Sequence, residues 1–212
     1  MRKYLDFRSH IDEEKLKEYA NIIKKDGIVV FPTETVYGVA TNGLNKEAVE
    51  KLYKIKKRQY NKPISLLVSD LEMIESITKD ITDIEYKLIK EFLPGPLTIV
   101  LKKNDKVPDI VTSNGDTVGI RISENEIARK IVKYANVPIA LTSANISGKS
   151  TGVNINQIIS DFKDNVDYYI DGGECQSDIG STIVKVCDGV PHILRKGPIS
   201  EENIKKVINE LQ

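Results

Sequence analysis

The stretch Phe31-Pro32-Thr33-Glu34-Thr35-Val36-Tyr37-Gly38 decides how this chain is read. It continues an apolar run, Ile28-Val29-Val30-Phe31, with the length and β-branched content of a buried strand. Pro32 cannot donate to a sheet ladder and stops the strand. The chain then offers two hydroxyls, a carboxylate and a phenol before Gly38. Two further polar clusters have a similar setting. Lys56-Lys57-Arg58 closes an amphipathic helix, and Thr142-Ser143-Ala144-Asn145 follows the apolar run Pro138 to Leu141. Polar groups gathered at element ends predict a site on the rim of a sheet. Jointly they predict a cationic pocket for a phosphorylated ligand.

Upstream of the opening stretch, Asp12 begins a helix with Glu13 and Glu14 in its first turn. Leu16, Tyr19, Ala20 and Ile23 form its apolar stripe, and Gly27 ends it. Downstream, Asn45 caps a second helix that carries Val49, Leu52, Tyr53 and Lys56 on one face. Further strands are expected at 64–69, 97–101, 117–122, 138–141, 166–170, 182–186 and 192–194. Helices are expected near 70–76, 83–92, 124–134, 155–162 and 201–211. Residues 146–154, rich in Gly, Ser and Thr, predict a flexible loop. Interleaved helices and strands make the class α/β with a mixed sheet. No repeat or linker divides the chain, so residues 1–212 are expected to form a single domain.

Lys plus Arg equals Asp plus Glu at 31 each, a balance unlike that of a protein built to coat nucleic acid. The charge is uneven. From Lys46 to Lys62 there are seven cations against two anions, Glu47 and Glu50. A local positive surface on a neutral protein suits an anionic small molecule better than a polyanion track. Arg58, Arg121 and Arg195 each sit beside an expected element end, where a planar guanidinium gives bidentate recognition that Lys cannot. Cys175 and Cys187 are the two cysteines, with no C-x-x-C spacing and no secretory signal ahead of them, so reduced thiols in a cytoplasmic protein are expected. With His10 and His192 as the two histidines, no His/Cys metal cluster is expected. No apolar run approaches a membrane span.

The Gly-rich fingerprints of P-loop and Rossmann nucleotide sites are missing, as is a G-x-S-x-G elbow. Covalent catalysis is therefore not the first expectation. Lys56, Arg58 and Lys62 form a K-x-R-x-x-x-K array at a helix end. Its plain reading is dipole complementation; its sharper reading is charge-assisted hydrogen bonding to phosphates. Thr142 to Asn145, and Gly180-Ser181-Thr182, are ordinary turn signals when taken singly.

Taken in order, the motifs resemble one family. F-P-T-E-T-V-Y-G is followed by K-K-R with Lys62-Pro63 and then by P-G-P-L-T at Pro94 to Thr98. V-G-I-R at Val118 to Arg121, T-S-A-N-I-S-G from Thr142, G-S-T-I at Gly180 to Ile183 and L-R-K-G-P at Leu194 to Pro198 complete the set. This series resembles the threonylcarbamoyl-AMP synthases, the YrdC-like domain, over nearly the whole chain. The resemblance implies a fold twisted around a deep, positively lined cavity. It implies the conversion of L-threonine, bicarbonate and ATP to threonylcarbamoyl-AMP and pyrophosphate, feeding threonylcarbamoyladenosine modification of tRNA. ATP is then a substrate, Mg2+ its expected counter-ion, and tRNA-modifying proteins the expected recipients of the product.

By similarity, Lys56, Arg58 and Lys62 face the phosphates, with Lys56 and Arg58 in catalytic roles. Ser143 and Asn145 lie along the nucleotide, helped by Arg195, Thr117 and Thr151. Thr33 or Thr35, Arg121 and Ser181 hold threonine, with Arg121 the partner of its carboxylate. Some members carry a histidine a few residues beyond the lysine-proline, where this chain reads Ile64-Ser65-Leu66-Leu67. Two rival readings remain at this level: an RNA-binding module using the basic segment 46–62, and a different carbamoyl-adenylate enzyme.

Overall fold

The computed structural model describes residues 4–149, 154–175 and 179–209. In chain order the elements are Tyr4–Asp6 (β1), Glu13–Lys24 (α1), Val29–Phe31 (β2), Gly38–Asn42 (β3), Lys46–Ile55 (α2), Ser65–Leu67 (β4), Leu71–Ile77 (α3) and Asp83–Phe92 (α4). Then follow Leu97–Lys102 (β5), Thr117–Arg121 (β6), Glu126–Ala135 (α5), Ile139–Ser143 (β7), Ile155–Phe162 (α6), Tyr168–Asp171 (β8), Thr182–Cys187 (β9), Val190–Arg195 (β10) and Glu201–Asn209 (α7). The strands form one twisted mixed sheet in the order β1-β8-β2-β3-β7-β4-β6-β5-β9-β10.

The period-two rule divides the core between the two faces of this sheet. Val29, Phe31, Ala40, Leu67 and Ile139 pack with α1 and α5 through Leu16, Ala20, Ile23, Ile127 and Ile131. Their strand neighbours Ile28, Val30, Val39, Leu66 and Ala140 pack on the other side with α2, α4, α6 and α7. The helices start where the sequence says they should. Asp12 accepts from the Glu14 and Lys15 amides, Asn45 from Glu47 and Ala48, and Thr82 with Glu85 closes a reciprocal capping box.

Three expectations need correction. β1 and β3 were not expected. β1 is three residues long, two of them exposed, and β3 is Gly-Val-Ala-Thr-Asn, a composition with little intrinsic strand preference. Pairing supplies what propensity lacks, since β3 is bonded on both sides, to β2 and β7. β7 also runs two residues past its expected end. Thr142 and Ser143 pair with Val39 and Gly38, so these hydroxyls sit on a strand and not on the turn after it. Within the expected loop 146–154, residues 150–153 lie outside the described residues.

Candidate active site

Pro32 ends β2, and the next residues fold into a tight hydroxyl-lined turn. Thr33 Oγ1 donates to the Val36 carbonyl at 2.6 Å and accepts from the Thr35 and Val36 amides, each at 3.2 Å. Thr33 and Thr35 hydroxyls lie 3.1 Å apart. Gly38 then opens β3, where a Cβ would sit 2.4 Å from Leu141 Cδ1. Tyr37 is fully buried; its hydroxyl donates to Gly173 O at 2.6 Å and lies 3.1 Å from Asp171 Oδ1. Burial pushes that phenol well above its usual range.

This turn holds an arginine. Arg121, at the end of β6, donates from Nη2 to Thr35 Oγ1 at 3.0 Å and lies 2.7 Å from Glu34 Oε1 in an ion pair. Both side chains are 8% exposed. The ion pair is not aligned as a hydrogen bond, so Glu34 Oε1 and Arg121 Nε stay buried without hydrogen-bond partners. Ser123 donates to the other carboxylate oxygen.

The K-x-R array is split by its own backbone. After α2, Lys57 adopts a left-handed conformation with φ 50°. The Arg58 amide bonds back to Tyr53 O at 3.0 Å and the Lys57 amide to Lys54 O at 3.0 Å, which is the Schellman helix stop. This turn sends Lys56 and Arg58 different ways. Arg58 is braced by the carbonyls of Lys62 (3.0 Å) and Pro63 (2.8 Å). Lys56 is 1% exposed, and its Nζ donates to Ser143 O and to Asn145 O, the latter at 2.6 Å.

Arg195 completes the group. Its Nε and Nη2 donate to Ser181 O at 3.0 and 2.7 Å, and Nη2 reaches Ser181 Oγ at 3.0 Å. Ser181 Oγ also lies 2.7 Å from Thr98 Oγ1. Gly180 is needed for this approach, because a Cβ there would meet Arg195 Nη2 at 2.8 Å. Burial, then the charges of Arg121 and Arg58, lower the pKa of Arg195, and all three guanidinium groups line one space.

That space is a cleft of about 170 Å³ lined by Thr33, Arg58, Arg121, Ser143, Ser181 and Arg195 of the residues singled out in the sequence. Thr35 stands behind Arg121. Asn145 stands behind Ser143, whose hydroxyl donates to Asn145 Oδ1 at 2.6 Å. Lys62 is exposed outside the cleft. Lys56 and Thr117 do not reach it. Thr117 begins β6, four residues before Arg121 and so roughly 13 Å along the strand. There it lines a separate depression with Asp80, Lys102, Asp116 and Lys185. Thr151 lies outside the described residues. The structure adds Ser65 and Thr98 to the cleft wall, together with Thr142 of the cluster already singled out. Ser65 and Thr98 are each a lone hydroxyl residue on a mostly apolar strand, the signal that could have found them.

The Sua5/YciO/YrdC family model, described as telomere recombination, matches residues 21–197. The chain belongs to this family. Among Sua5/YciO/YrdC relatives, the threonylcarbamoyl-AMP synthase of Pyrococcus abyssi is 37% identical over 208 residues, which are 98% of this chain and 61% of the relative. A protein of Methanocaldococcus jannaschii is 40% identical over 200 residues, 92% of this chain and 94% of its own. The solved structure of P. abyssi Sua5 complexed with L-threonine superposes with a TM-score of 0.94 at 37% identity, over 98% of this chain and 61% of that one. This chain thus spans about three-fifths of the P. abyssi relative and nearly all of the M. jannaschii one.

Proposed function

We propose that the cleft joins L-threonine, bicarbonate and ATP into threonylcarbamoyl-AMP and pyrophosphate, as a nucleotidyltransferase serving threonylcarbamoyladenosine formation in tRNA. The observation that carries this reading is the convergence of Arg58, Arg121 and Arg195 on a hydroxyl-lined cleft. Its support from relatives is the synthase name of the P. abyssi protein and the L-threonine bound in that protein's structure.

Arg121 is the carboxylate partner for threonine, since its buried Nε has a hydrogen to donate. Thr33 and Ser181 stand beside it, Ser65 offers a hydroxyl in the stretch where some members have histidine, and Thr98 offers another from β5. Arg58, Arg195 and Ser143 take the nucleotide, with Lys62 outside the cleft where a phosphate tail would leave it. The volume supports this division. Sites for drug-sized ligands run to roughly 300–1,000 Å³, so a cleft of about 170 Å³ suits an amino acid and the reacting phosphate, with the rest of ATP on the rim.

The amine of threonine and bicarbonate give an N-carboxylate, with loss of water. One of its oxygens attacks the α-phosphorus of ATP, and the bond to the bridging oxygen breaks as pyrophosphate leaves. Guanidinium groups that are already in place stabilise the charge moving onto pyrophosphate. No enzyme nucleophile takes part. The nearest thiol, Cys175, is raised by burial to about 11 and stays protonated. Mg2+ would arrive on the phosphates: Glu34 is engaged by Arg121 and Ser123, and among the described residues no group of three or more His, Cys, Asp or Glu is placed to hold a metal.

Hand-off to tRNA-modifying proteins and a cytoplasmic location follow from this reading; no helix among the described residues is long and apolar enough to cross a membrane. The test is incubation of purified protein with labelled ATP, threonine and bicarbonate. A threonine-dependent AMP conjugate with matching pyrophosphate is expected. RNA binding without such a conjugate would replace this reading with that of a binding module.

A further inference from the structure

Lys56 stands apart from the cations around it. It is 1% exposed, does not line the cleft and has no carboxylate partner among the described residues. A buried ammonium is normally paired, because desolvation of an isolated charge is costly. Lys56 instead spends two of its three N–H groups on main-chain carbonyls, those of Ser143 and Asn145. Its own carbonyl accepts the Ser147 amide at 2.9 Å. Three hydrogen bonds therefore tie the end of α2 to the segment 143–147 at a single residue. On one side of that tie is Arg58, two residues along the chain. On the other are Ser143, facing the cleft, and Asn145, which holds the Ser143 hydroxyl.

We infer that Lys56 is a positioning residue, a strut that fixes the Arg58 arm and the Ser143–Asn145 arm of the cleft relative to each other through main-chain carbonyls and does not itself meet the phosphates. The inference rests on the reading that the cleft takes ATP, but the strut can be tested without it. The chemistry of the amine agrees. Burial, with the Arg58 charge beside it, pulls Lys56 down to about 7. A neutral amine still has two N–H donors, so both carbonyls remain served when the charge is lost. The donors, and not the charge, are what the strut uses.

The experiment compares Lys56→Met, which removes donors and charge, with Lys56→Gln, which keeps two N–H donors without charge. Hydrogen exchange is read on the segment 143–149, whose Ser147 amide bonds to Lys56 O. Exchange there is expected to speed up by about tenfold or more in Lys56→Met and by much less in Lys56→Gln. Unchanged exchange in Lys56→Met would overturn the strut, whatever the cleft binds. Steady-state kinetics form the second arm. In Lys56→Met the KM for ATP is expected to rise about tenfold, with Lys56→Gln recovering most of it. In an Arg58→Ala background the same Lys56→Met change should add little, because both act through one arm. Equal damage from Gln and Met, with effects that add to Arg58→Ala, would show direct phosphate contact and overturn the inference. Should Lys56→Met not fold, the Gln variant decides alone: wild-type exchange and KM support the strut, and a Gln variant with wild-type exchange but a raised KM overturns it. A wild-type protein that makes no AMP conjugate would remove the ATP reading while leaving the exchange result standing.

Discussion

Replacing Arg121 by Met tests how the centre of the cleft is held together. The substitution keeps an unbranched apolar stem and removes a charge that lies 2.7 Å from Glu34 Oε1. Breaking a buried ion pair from one side costs about 3–5 kcal/mol, mostly because the remaining charge is stranded. Here one Glu34 oxygen keeps its hydrogen bond from Ser123, which places the loss near the lower end, about 3 kcal/mol. For a chain of this size that is a fall in Tm of about 6–12 °C. The double variant Arg121→Met with Glu34→Gln strands no charge, only neutral polar groups, and should lose about 1–2 kcal/mol relative to wild type. Urea unfolding followed by circular dichroism, on wild type, both singles and the double, gives the coupling energy directly. A single-variant loss below about 1 kcal/mol, or a double variant less stable than Arg121→Met, would refute the stranded-charge argument.

Three further outcomes are expected. Gly180→Ala places a methyl group within 2.8 Å of Arg195 Nη2 and should push that guanidinium off Ser181, raising the KM for ATP about tenfold with less than about 1 kcal/mol of stability lost; unchanged kinetics would mean that Arg195 does not serve the nucleotide from its present position. Lys57→Gly relieves a left-handed lysine and should stabilise the protein by up to about 1 kcal/mol in thermal unfolding, whereas a clear loss would show that the Lys57 side chain makes a contact of its own. Because Lys56 is lowered in the folded state, the unfolded chain binds the extra proton between about pH 7 and the ordinary lysine range, so this residue makes stability rise with pH across that window; the difference in unfolding free energy between wild type and Lys56→Met should move in favour of wild type from pH 7 to 9, and a pH-independent difference would contradict it.

Most of the architecture could be read from local signals. Asp12, Asn45 and Thr82 mark helix starts because a short polar side chain before an apolar stripe satisfies free amides in few other ways. β3 escaped because its strand character comes from partners on both sides and not from its own residues. At the site, the residues singled out in the sequence that line the cleft, Thr33, Arg58, Arg121, Ser143, Ser181 and Arg195, sit at or beside strand and helix ends. The expectation for Lys56 treated K-x-R as one surface. A left-handed residue between the two cations is what separates them, and a lysine there gives no warning, as a glycine would. Thr117 was assigned to the nucleotide by resemblance, yet it lines a separate depression, because an extended strand carries its two ends, Thr117 and Arg121, far apart.

The three converging guanidinium groups have a consequence for the empty protein. Arg58 and Arg121 face the same cleft as Arg195, and their charges repel its guanidinium, so the free cleft holds electrostatic free energy that a bound anion releases. Anions bind the folded chain and have no such nest in the unfolded one, so mass action makes thermal stability depend on the buffer. Phosphate or sulfate in solution would raise the melting temperature and at the same time compete for the cleft. Affinities for nucleotides measured in such buffers would be lower than those measured in chloride at equal ionic strength.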